Sequence, residues 1–234
     1  MEQWRLIQTS SFAENYLFET SNDVIPMRWN KELAAVCIEM MKTNSTVTTL
    51  LLLNCDVDDA SAAALAEQLK ETSTLTSLNL SSNAIGDVGA HSLAEGLKEN
   101  STLKELDLSS NAIGDVGADS LAKGLKENST LKELDLSSNA IGDAEGLKQN
   151  LTLKSLDLSH NEIGNIGADA LAKELKENPM LTELDLSFNA IGEVGVDSLA
   201  EGLKRKSALT KRDLSSSAVG NVGADSLAKY TIEF

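Results

Sequence analysis

Short stretches of alternating apolar and polar residues recur along most of the chain, each followed by a stretch with helical spacing. Leu106 and Leu108 flank Asp107, and this alternation predicts a short β-strand with one apolar face and one polar face. Farther along, apolar residues three and four positions apart predict an amphipathic helix. The apolar positions of that helix are Val116, Ala118, Leu121, Ala122 and Leu125.

This strand–helix pattern repeats with a period of 28 residues. Leu75, Leu103 and Leu131 open successive copies at that spacing, whereas the next step, to Leu153, is 22 residues. A strand and a helix of this size cannot bury their apolar faces alone, so successive copies must stack. The predicted units are 45–72, 73–100, 101–128, 129–150, 151–178, 179–206 and 207–234. The fourth unit lacks the six residues that match 116–121, which predicts a notch on the helical side.

The chain divides into an N-terminal cap with a half repeat, residues 1–44, and a repeat domain of seven units, residues 45–234. Residues 29–44 match the helical half of a unit, with Cys37 on its apolar stripe. Five of the eight aromatic residues precede or begin this stretch, and we expect them to cover the open end of the stack. A separate docking segment is the alternative. These residues are Trp4, Phe12, Tyr16, Phe18 and Trp29.

Two asparagine positions recur in most units. One follows each strand, where its amide is predicted to pair with backbone groups at the turn; these residues are Asn83, Asn111, Asn139, Asn161 and Asn189. Cys55 replaces this asparagine in the first unit and is predicted to lie in the core. The other position follows each helix and is predicted to end it in a left-handed conformation; it is filled by Asn100, Asn128, Asn150 and Asn178.

The motif L-x-x-L-x-L-x-x-N-x-I-G occurs at 75–86, 103–114, 131–142, 153–164 and 181–192. It resembles the leucine-rich repeat, and the 28-residue period is similar to that of the ribonuclease-inhibitor-like subtype. The resemblance extends over residues 45–234. It implies an α/β solenoid, or horseshoe, with a parallel sheet on the concave face and helices on the convex face. The repeat regions of NOD-like receptors are similar.

Charge and motif content exclude several function classes. The formal net charge of −16 disfavours nucleic acid and favours a protein partner with a basic surface. The chain has no phosphate-binding loop, HExxH motif or GxSxG motif, and its two cysteines lack metal-ligand spacing, so we expect no enzyme activity, cofactor or metal. Without a long apolar run or a signal sequence, we expect a monomeric cytoplasmic protein that does not bind membranes.

Two features of the predicted concave face are candidates for partner binding. An acidic column consists of Asp107, Asp135, Asp157, Asp185 and Asp213, with Glu105, Glu133 and Glu183 beside it. The alternative is a solvated charged face. His160 and Phe188 stand at the position before the asparagine, which is otherwise serine, and form a candidate anchor. The alternative for Phe188 is a single scattered surface aromatic.

The predicted function is therefore a non-enzymatic protein–protein interaction module that binds a basic protein partner on its concave acidic face. One alternative is a regulator of a small GTPase that resembles Ran GTPase-activating proteins. Another is a fragment of a larger NOD-like receptor.

Overall fold

A computed structural model describes residues 47–143, 152–204 and 209–215, the backbone of 5–8, 15–19 and 24–28, and residues 35, 38, 39 and 41. The strands are β1 Arg5–Gln8, β2 Asn15–Glu19, β3 Val24–Arg28, β4 Thr49–Leu51, β5 Ser77–Asn79, β6 Glu105–Asp107, β7 Glu133–Asp135, β8 Ser155–Asp157, β9 Glu183–Asp185 and β10 Lys211–Asp213. The helices with described bounds are α1 Asp59–Glu71, α2 Asp87–Glu99, α3 Asp115–Glu127, α4 Asn165–Glu177 and α5 Glu193–Leu203.

Strands β4 to β10 form one parallel seven-stranded sheet in chain order. The register pairs equivalent residues of successive units, so that Leu106 lies beside Leu78 and Leu134. The helices pack along one side of this sheet, α1 against α2, α2 against α3, and α4 against α5. The predicted α/β solenoid is confirmed. We call the opposite, helix-free side of the sheet, which corresponds to the predicted concave face, the sheet face.

Strands β1, β2 and β3 form a separate antiparallel sheet, in which Tyr16 pairs with Gln8 and Met27. The sequence pattern had not predicted these strands. The covering role of residues 1–44 stays a prediction. Trp4, Phe12, Trp29 and Cys37 lie outside the described residues, and Tyr16 and Phe18 are described by their backbone alone.

One continuous apolar core fills the space between the sheet and the helices. Leu106 of β6 and Leu121 of α3 are almost fully buried in it, and so is Cys55, as predicted. Val116, however, is 67% exposed, which contradicts its predicted place on the apolar stripe. The stripe begins at Ala118, and a residue two positions earlier on a helix projects from nearly the opposite side. Val88, Ile166 and Val194 occupy the same exposed position.

A glycine inside three of the helices permits close helix–helix packing. A Cβ atom on Gly124 would lie 2.5 Å from the carbonyl oxygen of Ala94 on the preceding helix, which is well inside van der Waals contact. Gly96 and Gly202 face Ala66 and Ala172 in the same way. Glycine normally weakens a helix interior by about 1 kcal/mol relative to alanine, so this contact explains its presence.

The first residue of one helix caps the start of the next helix. Oδ1 of Asp87 accepts hydrogen bonds from the backbone N–H groups of Gly114 (2.8 Å) and Gly117 (2.9 Å) at the start of α3. Asp59 does the same for α2, and Asn165 for α5. The N-cap glycines have no side chain to accept these bonds. We call this set of contacts the inter-unit caps.

The start of the array is capped differently. Oδ1 of Asp58 accepts hydrogen bonds from the backbone N–H of Ser61 (3.0 Å) and from its hydroxyl (2.8 Å). Asp58 is therefore the N-cap residue of its own helix, α1, as is usual for an isolated helix.

The asparagines after the strands pair with the backbone, as predicted. Nδ2 of Asn111 donates to the carbonyl oxygens of Leu80, Leu108 and Ser109, and its Oδ1 accepts from the N–H of Ile85. Each amide therefore connects two successive units. Asn83, Asn139, Asn161 and Asn189 donate to equivalent carbonyls.

The predicted left-handed ending of the helices is wrong. Asn128 has φ −83° and ψ 132°, which is extended backbone, and Asn100 is nearly identical. Both residues are buried, and Nδ2 of Asn128 donates to the carbonyl oxygens of Leu97 (2.7 Å) and Asn100 (3.0 Å). Asn128 therefore connects the ends of successive helices by its amide. Asn150, at the equivalent position, lies outside the described residues.

The shortened fourth unit leaves the sheet uninterrupted. Leu134 of β7 pairs with Leu156 of β8 in the same register as every other unit. Asp143 still caps the following helix, because its Oδ1 accepts from the N–H of Gly167 at 3.0 Å. The missing residues therefore fall on the helical side. The predicted notch itself lies at 144–151, outside the described residues.

The last described strand departs from the core pattern. Arg212 stands in register with buried Leu184, yet it is exposed. A guanidinium at a strand core position is tolerated there because β10 is the end strand of the sheet as far as the described residues extend.

Candidate protein-binding face

The sheet places the predicted partner-binding residues on four neighbouring strands, β6 to β9. Asp107, Asp135, Asp157 and Asp185 pair in register, and so do Glu105, Glu133, Ser155 and Glu183. Side chains alternate between the two faces of a strand, so these residues lie on the sheet face, opposite the buried leucines. His160 and Phe188 follow β8 and β9 by three residues. The structure therefore brings all nine predicted residues to one region of the sheet: Glu105, Asp107, Glu133, Asp135, Asp157, His160, Glu183, Asp185 and Phe188.

Each aspartate of the column also stabilises the turn after its strand. Oδ1 of Asp107 accepts hydrogen bonds from the N–H (2.9 Å) and the hydroxyl (2.7 Å) of Ser109. Asp135, Asp157, Asp185 and Asp213 accept the equivalent N–H. Asn79 makes the same pair of bonds with Ser81. The sequence pattern did not predict this role. The sequence feature that indicates this role is the recurrent Asp-x-Ser spacing, in which Asn replaces Asp in the second unit.

The electrostatic environment differs along the column. Burial raises the pKa of Asp135, the neighbouring carboxylates Asp157 and Asp107 raise it further, and the hydrogen bonds from Ser137 oppose the shift. At the sheet edge, the hydrogen bonds from Ser215 lower the pKa of Asp213, and Lys211 adds a small effect. Burial and like charges therefore act together on Asp135 in the middle of the column, whereas hydrogen bonds dominate at Asp213.

His160 and Phe188 form a parallel ring stack just beyond the ends of β8 and β9. Their ring centroids lie 4.2 Å apart with an interplanar angle of 8°. Both residues are exposed, and half of the surface of Phe188 is open to solvent. Phe188 is therefore not a single scattered aromatic. We call this pair the ring stack.

The ring stack stands on a strained backbone position. His160 has φ 53° and Phe188 has φ 54°, as do the equivalent serines Ser82, Ser110 and Ser138, at 55°, 53° and 55°. The ladder of backbone hydrogen bonds imposes this left-handed conformation, for example from the N–H of His160 to the carbonyl oxygen of Ser187. A left-handed conformation is unfavourable for a bulky side chain. Serine satisfies the fold here, so the fold does not require the rings.

The described ranges hold no group of three or more His, Cys, Asp or Glu side chains placed to bind a metal ion. Of the helices whose residues could be described, none is long and apolar enough to cross a bilayer. Cys55 is buried, and its thiol donates to the carbonyl oxygen of Leu53 at 3.1 Å. His91 is exposed on α2, far along the chain from the ring stack.

Comparisons with known proteins agree with this architecture. The Leucine Rich repeat family matches at 73–94, 99–122, 127–147, 149–172 and 177–200. The chain is therefore a leucine-rich repeat protein, with a repeat domain built as an open α/β solenoid. No curated protein sequence matches it significantly. One similar solved structure is titled Leiomodin-1 Actin-Binding Site 2 (ABS2). It has 19% sequence identity, covers 74% of this chain and 90% of that chain, and has a TM-score of 0.49.

Proposed function

We propose that this protein is a non-enzymatic interaction module that binds the basic surface of a protein partner on the sheet face of strands β6 to β9. The observation that carries the proposal is the exposed ring stack of His160 and Phe188 beside the acidic column. Leucine-rich repeats in general serve as protein-interaction modules, which supports the class of function. The ribonuclease-inhibitor-like subtype and the similarity to NOD-like receptor repeats form part of the same proposal.

Charge and apolar surface contribute differently to binding. The net charge of −16 and the aligned aspartates attract a basic partner and speed its encounter. Exposed ion pairs add little net affinity, about 0–1 kcal/mol each, because water and salt screen them. Burial of an exposed aromatic ring is a larger contribution, and interface hot spots are often aromatic. Phe188 is therefore assigned the anchoring role and the aspartates the steering role.

The cellular setting belongs to the proposal as well. We place the protein in the cytoplasm, as a monomer that presents one binding face to its partner.

The test starts from a partner recovered from lysate and titrated against matched variants. Phe188→Ser installs the residue that Ser110 and Ser138 already supply, so the fold should be kept while the anchor is lost. Asp135→Asn with Asp157→Asn removes two charges but keeps the turn, as Asn79 does. The control, Glu71→Gln with Asp197→Asn, removes two exposed charges from helices.

We expect Phe188→Ser to weaken binding by about 2 kcal/mol through faster dissociation. The sheet-face double variant should mainly slow association and flatten its salt dependence, while the helix control should bind as the wild type does. If the sheet-face and helix variants bind alike, the partner site is elsewhere.

A further inference from the structure

We propose that the ring stack recognises an arginine side chain of the partner, and that a lysine cannot replace it. The inference rests on the proposed function, because it assumes a basic partner on the sheet face. It adds the chemical group that occupies the stack: a planar guanidinium laid against the rings and bonded to the adjacent carboxylates.

The first step is the accessible ring surface. The two rings cover each other on one side, but half of the surface of Phe188 stays exposed. On the other side of His160, the equivalent position in the preceding unit holds Ser138, whose backbone N–H donates to the carbonyl oxygen of Ser159 in the shared ladder. A serine side chain is too short to cover an imidazole ring. The stack therefore offers aromatic surface to a flat ligand group.

The second step is the unsatisfied hydrogen-bonding capacity beside the rings. Asp157 and Asp185 stand three residues before His160 and Phe188 on the same chain segments. Each uses Oδ1 to accept the N–H of the following serine at 2.9 Å. Within the described ranges, no side chain or backbone donor bonds to the Oδ2 atom of either residue. Each carboxylate therefore has an oxygen available for a donor from the partner.

The third step is the sign and amount of charge. Glu162, two residues after His160 in the chain, is an exposed carboxylate. On the neighbouring strands, Lys211 lies 3.7 Å from Glu183. No ion pair among the described residues involves Asp157, Asp185 or Glu162. An anion would be repelled here, and a neutral aromatic ligand would leave the carboxylate oxygens unused.

The fourth step separates arginine from lysine. A guanidinium is planar, stacks on aromatic faces and presents several N–H donors in one plane, so it can contact the rings and a carboxylate together. An ammonium is compact and strongly hydrated, and it interacts here mainly as a point charge. Cation–π contact at a partly exposed site corresponds to about a tenfold gain in affinity. Charge complementarity and ring geometry together therefore favour arginine.

The experiment uses the full chain labelled in its two histidines, His91 and His160, and follows their ring signals by NMR. His91 lies on α2 and serves as an internal control, and His91→Gln assigns the two signals. The probes are two capped peptides of equal charge, Gly-Arg-Gly-Arg-Gly and Gly-Lys-Gly-Lys-Gly. We expect the arginine peptide to shift the His160 signals saturably, at about tenfold lower concentration than the lysine peptide, with His91 unchanged.

Two variants complete the test. Phe188→Ser should abolish the difference between the peptides, and Phe188→Leu, which keeps an apolar side chain without a ring, should do the same. Equal binding of the two peptides to the wild type would overturn the arginine inference while leaving a charge-driven basic partner intact. A preference for arginine that survives both variants, or no shift of His160 with either peptide, would also overturn it. The titration of the partner recovered from lysate then tests the proposed function separately.

Discussion

Replacement of Asp135 by asparagine should stabilise the protein at neutral pH, although it removes a charged hydrogen-bond acceptor. The substitution keeps the turn, because Asn79 accepts the same two hydrogen bonds from Ser81 that an aspartate accepts from its serine. What it removes is the negative charge in the middle of the column. Two carboxylates flank that charge, Asp107 and Asp157, in register on the adjacent strands.

The magnitude follows from the strand spacing. Unit charges about 4.8 Å apart repel by about 0.9 kcal/mol in water. Salt at about 0.1 M has a Debye length of about 10 Å and reduces each pair to about 0.5 kcal/mol. With two neighbours, Asp135→Asn should raise the free energy of unfolding by about 1 kcal/mol at about 0.1 M salt and by somewhat more at lower salt. Loss of the charge-assisted bond to Ser137 opposes this gain. The raised pKa of Asp135 shows that burial and repulsion outweigh that bond.

The raised pKa of Asp135 also fixes the sign of the pH dependence. A carboxyl whose pKa is raised on folding contributes stability below its unfolded pKa and loses it as pH rises through the folded value. The ordinary value is 3.8, so wild type and Asp135→Asn should differ least below about pH 4 and increasingly above it.

Urea unfolding at acidic and neutral pH, with and without 1 M NaCl, measures both effects. Asp213→Asn is the matched control of opposite sign, because the hydrogen bonds from Ser215 lower the pKa of Asp213. A lowered pKa contributes stability above the unfolded value, so this variant should be slightly less stable at neutral pH. If Asp135→Asn is destabilised at neutral pH and low salt, the turn bond to Ser137 outweighs the repulsion and the reasoning fails.

Gly124→Ala should lower the free energy of unfolding by about 1–3 kcal/mol in urea melts, because the added Cβ meets the Ala94 carbonyl. Helix propensity alone predicts that alanine stabilises the helix, so a more stable variant would refute the packing argument. Asp87→Ala should lower the free energy of unfolding by about 1–2 kcal/mol through loss of an inter-unit cap, and Asp87→Asn by less than half as much, because Asn165 makes the same bonds; equal losses would contradict the capping role. Asn128→Gly should lower the free energy of unfolding by about 2 kcal/mol, because buried backbone groups lose their amide partner. If the glycine variant is as stable as the wild type, a left-handed helix ending explains this position better than the amide does.

The strand motif could be predicted because its two faces have opposite polarity. Leu106 and Leu108 must face the core, and Asp107 between them must face away, so the sheet and its register follow from the 28-residue period. The asparagine after the strand was also predictable, because a turn between stacked strands leaves backbone groups that only a buried amide satisfies.

The misses have a common cause, which is that one residue type fits two structural roles. Asparagine after a helix suits both a left-handed ending and a buried amide ladder, and only the extended backbone of Asn128 decides between them. Asp107 suited both a charged surface and a turn acceptor, and it serves as both. The stacking of His160 on Phe188 depends on a left-handed turn that no local sequence signal specified, since serine occupies it elsewhere. The strands β1 to β3 have no repeat partner from which they could be inferred.

The inter-unit caps give the array a direction. Asp58 caps its own helix, whereas α2, α3 and α5 each begin on an acceptor supplied by the unit before them. Removal of units from the C-terminal end leaves the start of every remaining helix capped. Removal of the same units from the N-terminal end exposes a helix start whose glycine N-cap cannot accept a hydrogen bond. A truncation series from the two ends should therefore be unequal, and the first unit is the one that a shortened array must keep.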